Sequence, residues 1–327
     1  MIISRTPFRI SFVGGGSDID TFYRRHPGAV VSTTIDKYMY VTVNERFEDT
    51  IRVAYTETEI VDTVDEIQHD LIREAMKMVG IDGGVEVTTI ADVPAGTGLG
   101  SSSSLTVGLL KAFYAYKGVF KKREDLAREA CKIEIDVLEK PIGKQDQYAA
   151  AFGGLNFIEF HRDGSVSVNP VTSRSEVKNK LASELQLYYT GINHRSDEVL
   201  ERQKKKTISG TKNVSNLKKM VGLAHEARKF LEEENYSEIG NLLHENWELK
   251  KELSEGISNS RIAEMYKLAK RAGVKGGKIL GAGGRGFFLF YLDKSKRGKL
   301  RKKLEREGLR KTNFKFETEG SKIIYTD

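Results

Sequence analysis

The segment 94–104 places the tightest constraint on how this chain can fold. It reads PAGTGLGSSSS, with glycines at 96, 98 and 100, and it runs directly into an apolar helical stretch, 105–116. A glycine-rich loop lets backbone N–H groups crowd around an anion, and the helix start that follows adds unpaired donors and a positive dipole end. The pattern therefore predicts a phosphate-binding loop. Because no segment has the Gly-x₄-Gly-Lys-Ser/Thr spacing, this loop belongs to a design other than the P-loop.

The composition indicates an intracellular globular protein. With 327 residues and 39% hydrophobic content, the chain can bury a large core and is expected to form two domains. Its one cysteine, Cys131, excludes an intramolecular disulfide and a cysteine-cluster metal site. The apolar runs, such as 287–292, are too short to cross a bilayer, and the N-terminus lacks a signal-peptide pattern. We therefore expect a soluble cytoplasmic protein with no membrane partner.

The basic charge favours an anionic partner. A net charge of +7 and a pI near 9.1 suit nucleic acid, a membrane surface or phosphorylated small molecules. The densest basic block, 294–310, has leucines at 300 and 304, one helical turn apart, as in an amphipathic surface helix. No aromatic residues interleave with its lysines and arginines, so a nucleic-acid partner is not expected. A homodimer is compatible with the sequence, which is otherwise silent on oligomeric state.

Strand and helix signals mix along the chain and predict an α+β fold. Strand-like segments occur at 2–13, 29–43, 51–55, 85–90, 155–160, 166–168 and 185–190. Helical periodicity occurs at 65–79, 105–116, 123–138, 215–233 and 237–253. The polar, weakly periodic stretch 172–180 is the candidate boundary. We therefore predict an N-terminal domain at 1–175 and a C-terminal domain at 176–327.

Two motifs resemble known functional sequences but lack the required context. Residues 281–286 match the dinucleotide fingerprint G-x-G-x-x-G, yet the strand pattern 287–292 follows them where that fingerprint needs a helix. The triplet 161–163, His-Arg-Asp, matches the protein-kinase catalytic loop, but Val168 stands where the metal-binding Asn should be. The first motif is therefore interpreted as a tight hairpin and the second as a hairpin tip.

Three segments occur in an order that points to one superfamily. They are RTPFRISFVGGGSD (5–18), the loop at 94–104, and KILGAGGRGFF (278–288). Together they resemble the three motifs of the GHMP kinases, which include galactokinase, homoserine kinase, mevalonate kinase and phosphomevalonate kinase. Within that superfamily, GGGSD, AVVSTTIDKY (29–38) and GKQDQY (143–148) are similar to the sugar 1-kinase branch that contains heptose 7-phosphate kinases. The resemblance spans essentially the whole chain, although Asp20 stands where that branch usually has proline.

The resemblance implies both a fold and a reaction. The N-terminal domain should be like domain 2 of ribosomal protein S5, an α/β unit, and the C-terminal domain should be a ferredoxin-like α+β unit. The implied activity is ATP- and Mg²⁺-dependent phosphorylation of the anomeric hydroxyl of D-glycero-D-manno-heptose 7-phosphate, which gives the 1,7-bisphosphate. The expected small-molecule partner is thus a sugar phosphate.

The same resemblance assigns the chemistry to four residues, and each has a plainer interpretation. Asp146 is implied as the catalytic base, but a helix cap or solvated turn would also explain it. Arg9 is implied to stabilise charge beside the acceptor, and a surface salt bridge at a strand edge is the alternative. Glu134 and Ser102 are implied as Mg²⁺ ligands. The alternatives are an ordinary surface acid for Glu134 and a helix-capping hydroxyl for Ser102.

The remaining site predictions follow the motifs. ATP is expected to contact Pro94, Gly96, Thr97, Gly98, Leu99, Gly100, Ser101, Ser102 and Ser103. The sugar is expected to contact Gly15, Gly16, Ser17, Asp18, Lys144, Arg195, Gly283 and Gly284. Glycines permit close backbone approach to a ligand, and the Asp18 carboxylate can accept hydrogen bonds from sugar hydroxyls, although an Asx turn would equally suit it.

Two alternative functions stay open at this point. One is a kinase for another sugar, such as fucose or galactose. Galactokinase-like chains carry Glu-His-Thr-Asp where residues 15–18 here read Gly-Gly-Ser-Asp, which argues against galactose. The other is a non-catalytic RNA-associated module, motivated by the basic charge and the S5-like fold.

Overall fold

A computed structural model describes residues 1–191 and 197–327, apart from the side chains of residues 197, 198, 208 and 209. The strands are β1 (Ile2–Val13), β2 (Gly28–Glu45), β3 (Ile51–Ala54), β4 (Thr58–Val61), β5 (Val85–Ala91), β6 (Leu155–Phe160), β7 (Val166–Pro170), β8 (Leu185–Tyr189), β9 (Gly276–Ile279), β10 (Phe287–Tyr291), β11 (Arg310–Thr312), β12 (Phe316–Glu317) and β13 (Lys322–Thr326). The helices are α1 (Asp20–Tyr23), α2 (Asp70–Val79), α3 (Ser101–Tyr116), α4 (Arg123–Cys131), α5 (Gln145–Phe152), α6 (Ser175–Glu184), α7 (Asp197–Ser209), α8 (Thr211–Glu232), α9 (Ile239–Lys251), α10 (Ser260–Arg271) and α11 (Arg297–Arg306).

The first domain is built on a large sheet that the long strand β2 organises. The strand order is β13-β1-β2-β5-β3-β4, with β6 and β12 pairing along β2 and β7 pairing β6. Most pairings are antiparallel, whereas β3 and β5 run parallel, with β4 and α2 between them in the chain. Strands β12 and β13 come from the end of the chain but belong to this sheet. A single boundary near residue 175 therefore does not separate the two domains completely.

Helix α3 packs against β1 and β2 and positions the phosphate-binding loop that precedes it. The helix is apolar on nearly all sides, as expected for a core helix, and its first turn directly follows the glycine loop. Gly108 allows a close approach, since a Cβ there would lie 2.9 Å from Thr6 Oγ1. Ser4 Oγ donates to the Gly108 carbonyl at 2.8 Å. These contacts hold the middle of α3 against the first half of β1, and Ser104 Oγ, which donates to the Pro7 carbonyl at 3.0 Å, fixes the start of the helix.

The second domain has the ferredoxin-like topology that the resemblance implied. Its sheet has the order β11-β8-β10-β9, and its elements follow as β8, helices α7–α10, β9, β10, α11 and β11. This is the β-α-β-β-α-β arrangement with strand order 4-1-3-2. Trp247 is fully buried in its core. The predicted two-domain α+β fold class is confirmed.

Buried polar contacts join the two domains beside the glycine loops. Lys278 of β9 donates to the carbonyls of Ser11 and Phe12 at 3.0 Å each. The Gly14 N–H donates to Asn246 Oδ1 of α9 at 3.0 Å. A site at this junction is therefore built from both domains.

The motifs rejected on sequence grounds have the structures expected for them. Residues 281–286 form the tight hairpin between β9 and β10, and His161-Arg-Asp lies in the turn between β6 and β7. Cys131 is buried in α4, where it packs as an apolar residue. In the part of the chain that the structure describes, no helix has the length and apolar character needed to cross a bilayer.

Candidate active site

A cavity of about 790 Å³ opens where the two domains meet. Its walls are the turn after β1, the loop 94–100, the starts of α3 and α5, the loop 281–285, and parts of α7 and α9. At one end it extends past Tyr55, His69 and Lys140. A cavity of this size lies in the usual range for a small-molecule site at a domain interface.

Three glycines shape the first wall. Gly96, Gly98 and Gly100 have φ angles of +71°, +85° and +79°, a left-handed conformation that L side chains disfavour. Gly100 is the residue before α3, so the loop delivers the helix N-terminus to the cavity. The geometry fits the anion-binding loop predicted from the sequence.

The predicted ATP-contacting residues divide between the cavity and the core. Those that line the cavity are Pro94, Gly96, Gly98, Gly100, Ser101, Ser102 and Ser103. Thr97 and Leu99 are fully buried instead: Thr97 Oγ1 donates to the Pro94 carbonyl at 3.0 Å, and the Leu99 carbonyl accepts from Arg9 N–H at 3.0 Å. Alternate residues thus face the cavity and anchor the loop.

Gly98 lies where the loop 94–100 contacts the loop 281–285 and the residue before it. A Cβ at this position would lie 2.5 Å from the Leu280 carbonyl oxygen. We expect Gly98→Ala to weaken Mg-nucleotide binding about ten-fold or more, because the loops must separate, and to lower the melting temperature. Gly80→Ala is the matched control, since Gly80 also has positive φ but no atom within 4 Å of the added Cβ. Calorimetric nucleotide titrations and thermal melts check this; equal effects in both variants would contradict it.

Arg9 and Asp146 form a two-point ion pair at the base of the cavity. Arg9 Nε donates to Asp146 Oδ1 at 2.7 Å, and Arg9 Nη2 donates to Oδ2 at 2.6 Å. Arg9 Nη1 donates to the Gly98 carbonyl. Arg9 is only 4% exposed, so it is not the surface salt bridge considered as its alternative. Asp146 lies in the first turn of α5 and faces the cavity, with Gly100 packed against both side chains.

Glu134 forms a second, fully buried acidic position. It lies in the π-helical segment Lys132–Val137 that continues α4, and it accepts hydrogen bonds from Ser102 Oγ and, at 2.7 Å, from Gln147 Nε2. Burial raises the pKa of this carboxyl above its ordinary value, and the hydroxyl and amide donors partly counteract the rise. Glu134 is therefore not a surface acid. Among the residues that the structure describes, no cationic group lies within 4 Å of its carboxylate, and the more distant charge of Lys140, which pairs with Asp70, compensates it only in part.

The turn after β1 brings Asp18 to the opposite wall. Gly15, Gly16 and Asp18 line the cavity. Asp18 accepts from the N–H groups of Gly16 and Gln145 at 2.8 and 3.2 Å, so the Asx-type turn and the cavity position coexist. Burial raises the pKa of the Asp18 carboxyl, and the negative charge of Asp146 raises it further. Ser17 is fully buried and exchanges hydrogen bonds with the Ala29 backbone at 3.1 Å, outside the cavity lining.

The other predicted sugar-contacting residues lie in different places. Lys144 is not part of the cavity lining; its ammonium donates to the Gly164 carbonyl at 2.8 Å and lies 5.0 Å from the Tyr23 ring. Gly283 lines the cavity, whereas Gly284 donates its N–H to the Ile257 carbonyl at 2.8 Å. Arg195 lies outside the described residues.

Sequence reasoning missed Gln145, Lys250 and the wall role of Lys278, all of which line the cavity. Gln145 is the neighbour of Asp146, and Lys278 begins the third motif. Lys250 could have been found from helical spacing, because it falls on the buried face of α9 with Leu243, Asn246 and Trp247. A lysine at such a position is unusual unless it has a partner.

Comparisons with known proteins agree with the motifs. Residues 64–154 match the family described as GHMP kinases N terminal domain, and residues 227–310 match the GHMP kinases C terminal family. The chain is 32% identical to a D-glycero-alpha-D-manno-heptose 7-phosphate kinase of Campylobacter jejuni, over 98% of each protein. It is 26% identical to a bifunctional fucokinase/GDP-fucose pyrophosphorylase of Arabidopsis thaliana, over 91% of this chain but 30% of that protein.

A solved structure gives the same result for the fold. The crystal structure of a D-glycero-D-manno-heptose 1-phosphate kinase from Bacteroides thetaiotaomicron superposes with a TM-score of 0.83 at 27% identity and covers 100% of both chains. The resemblance inferred from three short motifs is therefore confirmed over the full length of the chain.

Proposed function

Since the chain belongs to the GHMP kinases, which use ATP as phosphate donor, we propose that it phosphorylates the anomeric hydroxyl of D-glycero-D-manno-heptose 7-phosphate. The product would be the 1,7-bisphosphate. The observation that carries this proposal is the position of Asp146. Its carboxylate, held by Arg9, faces the cavity beside Gly100, so a Cβ on Gly100 would lie 3.3 Å from Asp146 Oδ2. A proton acceptor thus lies directly against the phosphate-binding loop.

Asp146 acts as the base in this proposal. As the sugar oxygen forms its bond to the terminal phosphorus of ATP, the bond from that phosphorus to the β-phosphate oxygen breaks, ADP leaves, and the hydroxyl proton passes to Asp146. Arg9 orients the carboxylate through two hydrogen bonds and brings positive charge to the place where negative charge is transferred. No covalent enzyme intermediate is needed.

Ser102 and Glu134 fit a Mg²⁺ ion. Both supply hard oxygen ligands, and the buried carboxylate has only partial compensation from the distant Lys140, so a divalent cation would balance its charge. The structure describes no group of three or more His, Cys, Asp or Glu residues suited to a metal, so the other ligands would be phosphate oxygens and water, as is usual for Mg²⁺. When bound, the ion would neutralise charge on the donor phosphates.

The acceptor end is assigned to the turn 15–18 and the loop 281–285. Asp18 has spare lone pairs on both carboxylate oxygens after its two backbone hydrogen bonds, and these can accept from sugar hydroxyls. Gly15, Gly16 and Gly283 leave room for the ring. Ser17, Lys144 and Gly284 have other partners, and we do not include them in the proposed contacts.

Fucose is the second candidate acceptor, because two bifunctional proteins whose names include fucokinase align with 91% and 88% of this chain. A non-catalytic RNA-associated role has no use for a buried Arg9–Asp146 pair facing a cavity, and family membership disfavours it.

The proposal is tested by ADP release with Mg-ATP over a panel of acceptors. The panel contains the heptose 7-phosphate, the free heptose, the heptose 1-phosphate, fucose, galactose and mannose. We expect kcat/KM for the heptose 7-phosphate to exceed that for every free sugar by about 100-fold or more, since a phosphate can accept charge-assisted hydrogen bonds that a free sugar cannot. The heptose 1-phosphate, whose anomeric hydroxyl is already substituted, should release no ADP. Preferred turnover of fucose, or of the 1-phosphate, would overturn the proposed acceptor.

A further inference from the structure

Lys250 is a buried cation that the mechanism above does not use. It lies in the last turn of α9, is 6% exposed, and lines the cavity. Within residues 1–191 and 197–327, the one hydrogen-bond partner of its ammonium is the Gly281 carbonyl, and no carboxylate lies within 4 Å of it. Burying an ammonium costs free energy unless hydrogen bonds and opposite charge compensate it. Two of its three donors therefore remain available at the cavity wall.

Lys278 provides an informative contrast. It is another buried lysine of the same wall, but its ammonium donates to two backbone carbonyls, those of Ser11 and Phe12, at 3.0 Å each. Its position is explained by joining β9 to the end of β1. The position of Lys250 has no comparable structural explanation.

The partner of Lys250 lies at the meeting point of the two glycine loops. A Cβ on Gly281 would lie 2.5 Å from the Gly98 Cα, so the two loops touch there. Arg9 donates to the Gly98 carbonyl from the other side. Arg9 from the first domain and Lys250 from the second therefore flank the same point, beside the helix start that would receive the donor phosphates.

We propose that Lys250 is a further catalytic residue, whose ammonium binds oxygens of the terminal phosphoryl group of ATP while it is transferred. The inference depends on the kinase activity but not on which sugar accepts the phosphate. Lys250 and Arg9 would then hold the phosphoryl oxygens from opposite domains, which also ties domain closure to the presence of the terminal phosphate.

The electrostatics link this contact to proton binding. Burial and the nearby Arg9 charge together lower the pKa of Lys250 to about 8, although Asp18 and Asp146 oppose the decrease. Lys278, from β9, adds a repulsive interaction. A phosphate anion beside the ammonium favours its charged form and so raises its pKa. Binding of ATP should then take up a proton near pH 8, and the affinity should fall as the pH rises above 8.

Titration calorimetry in two buffers of different ionisation enthalpy tests the proposal without any acceptor present. At pH 8 we expect wild-type protein to take up about half a proton more with Mg-ATP than the Lys250→Met variant does. Mg-ADP, which lacks the terminal phosphate, should show no such difference. Lys251→Met is the matched control, because Lys251 is the half-buried neighbour that donates to Glu248 Oε2 at 2.8 Å outside the cavity lining, and it should behave as wild type.

Turnover gives a second measurement with any accepted sugar. We expect Lys250→Met to lower kcat by about 10²–10³-fold with little change in the sugar KM, and Lys250→Arg to retain part of the activity. Equal proton uptake in wild type and Lys250→Met would overturn the proposal, as would an excess uptake seen only with a sugar phosphate. Proton uptake on ATP binding combined with no heptose 7-phosphate turnover would instead contradict only the acceptor proposed above.

Discussion

Replacing Asp146 with Asn is expected to lower kcat by about 10³-fold while leaving Mg-nucleotide affinity little changed. Asparagine has nearly the same shape and keeps an oxygen that can accept from Arg9, but it cannot take the hydroxyl proton. Because the substitution preserves the size of the side chain that packs against Gly100, nucleotide binding should survive. Steady-state kinetics with the preferred sugar and calorimetry with Mg-ADP measure the two effects separately.

Asp136→Asn is the matched control, since Asp136 is an exposed aspartate of the helical segment that precedes α5. It should retain wild-type kcat. If Asp146→Asn also retained kcat, Asp146 would only anchor Arg9. The double variant Asp146→Asn with Arg9→Met shows whether the two side chains act together in catalysis. Two groups that act as a unit lose little more together than either loses alone, whereas independent groups give multiplying losses.

The positions of the three glycine motifs were predictable because each has a local physical cause. Positive φ angles at Gly96, Gly98 and Gly100 demand glycine, and an apolar helix after the loop is visible in the periodicity. The hairpin at residues 281–286 was also predictable, since the apolar and aromatic run that follows it has the pattern of a strand and not of the helix that a dinucleotide-binding loop needs. Local chemistry thus identified the loops, and the family resemblance supplied their order in the site.

Contacts between distant segments were not predictable from local patterns. The sheet positions of β12 and β13 depend on pairing with β2 and β1, some 280 or more residues earlier in the chain, and a two-residue strand has no periodicity of its own. Ser17 and Lys144 belong to motifs that predicted contact with the sugar, yet hydrogen bonds to the backbone of distant segments direct their side chains away from the cavity. Lys250 was missed because a charged residue on a helix is normally assigned to the solvent face.

The second large effect is expected at Glu134. Glu134→Gln should raise the Mg²⁺ concentration needed for half-maximal activity about ten-fold or more and lower kcat by about 100-fold. Glutamine preserves the size of the side chain and an oxygen acceptor for Ser102, but it removes the charge that would balance the ion. A Mg²⁺ titration of the rate measures this change. Glu139→Gln, at an exposed position five residues later, should leave the titration unchanged.

In the absence of metal, Glu134→Gln should keep or increase the stability of the protein, although it lowers the activity. This difference distinguishes a metal ligand from an acid that only supports the fold. Burial raises the pKa of Glu134 in the folded protein, so between its unfolded pKa and that raised value the folded state binds more protons, and the free energy of unfolding falls as the pH increases. Glu134→Gln removes this penalty. In EDTA near pH 7 the variant should therefore melt at or above the wild-type temperature, whereas adding Mg-ADP should stabilise wild type much more than the variant. A variant that melts far below wild type in EDTA and gains the same stabilisation from Mg-ADP would show that Glu134 supports the fold through Ser102 and Gln147 and binds no metal.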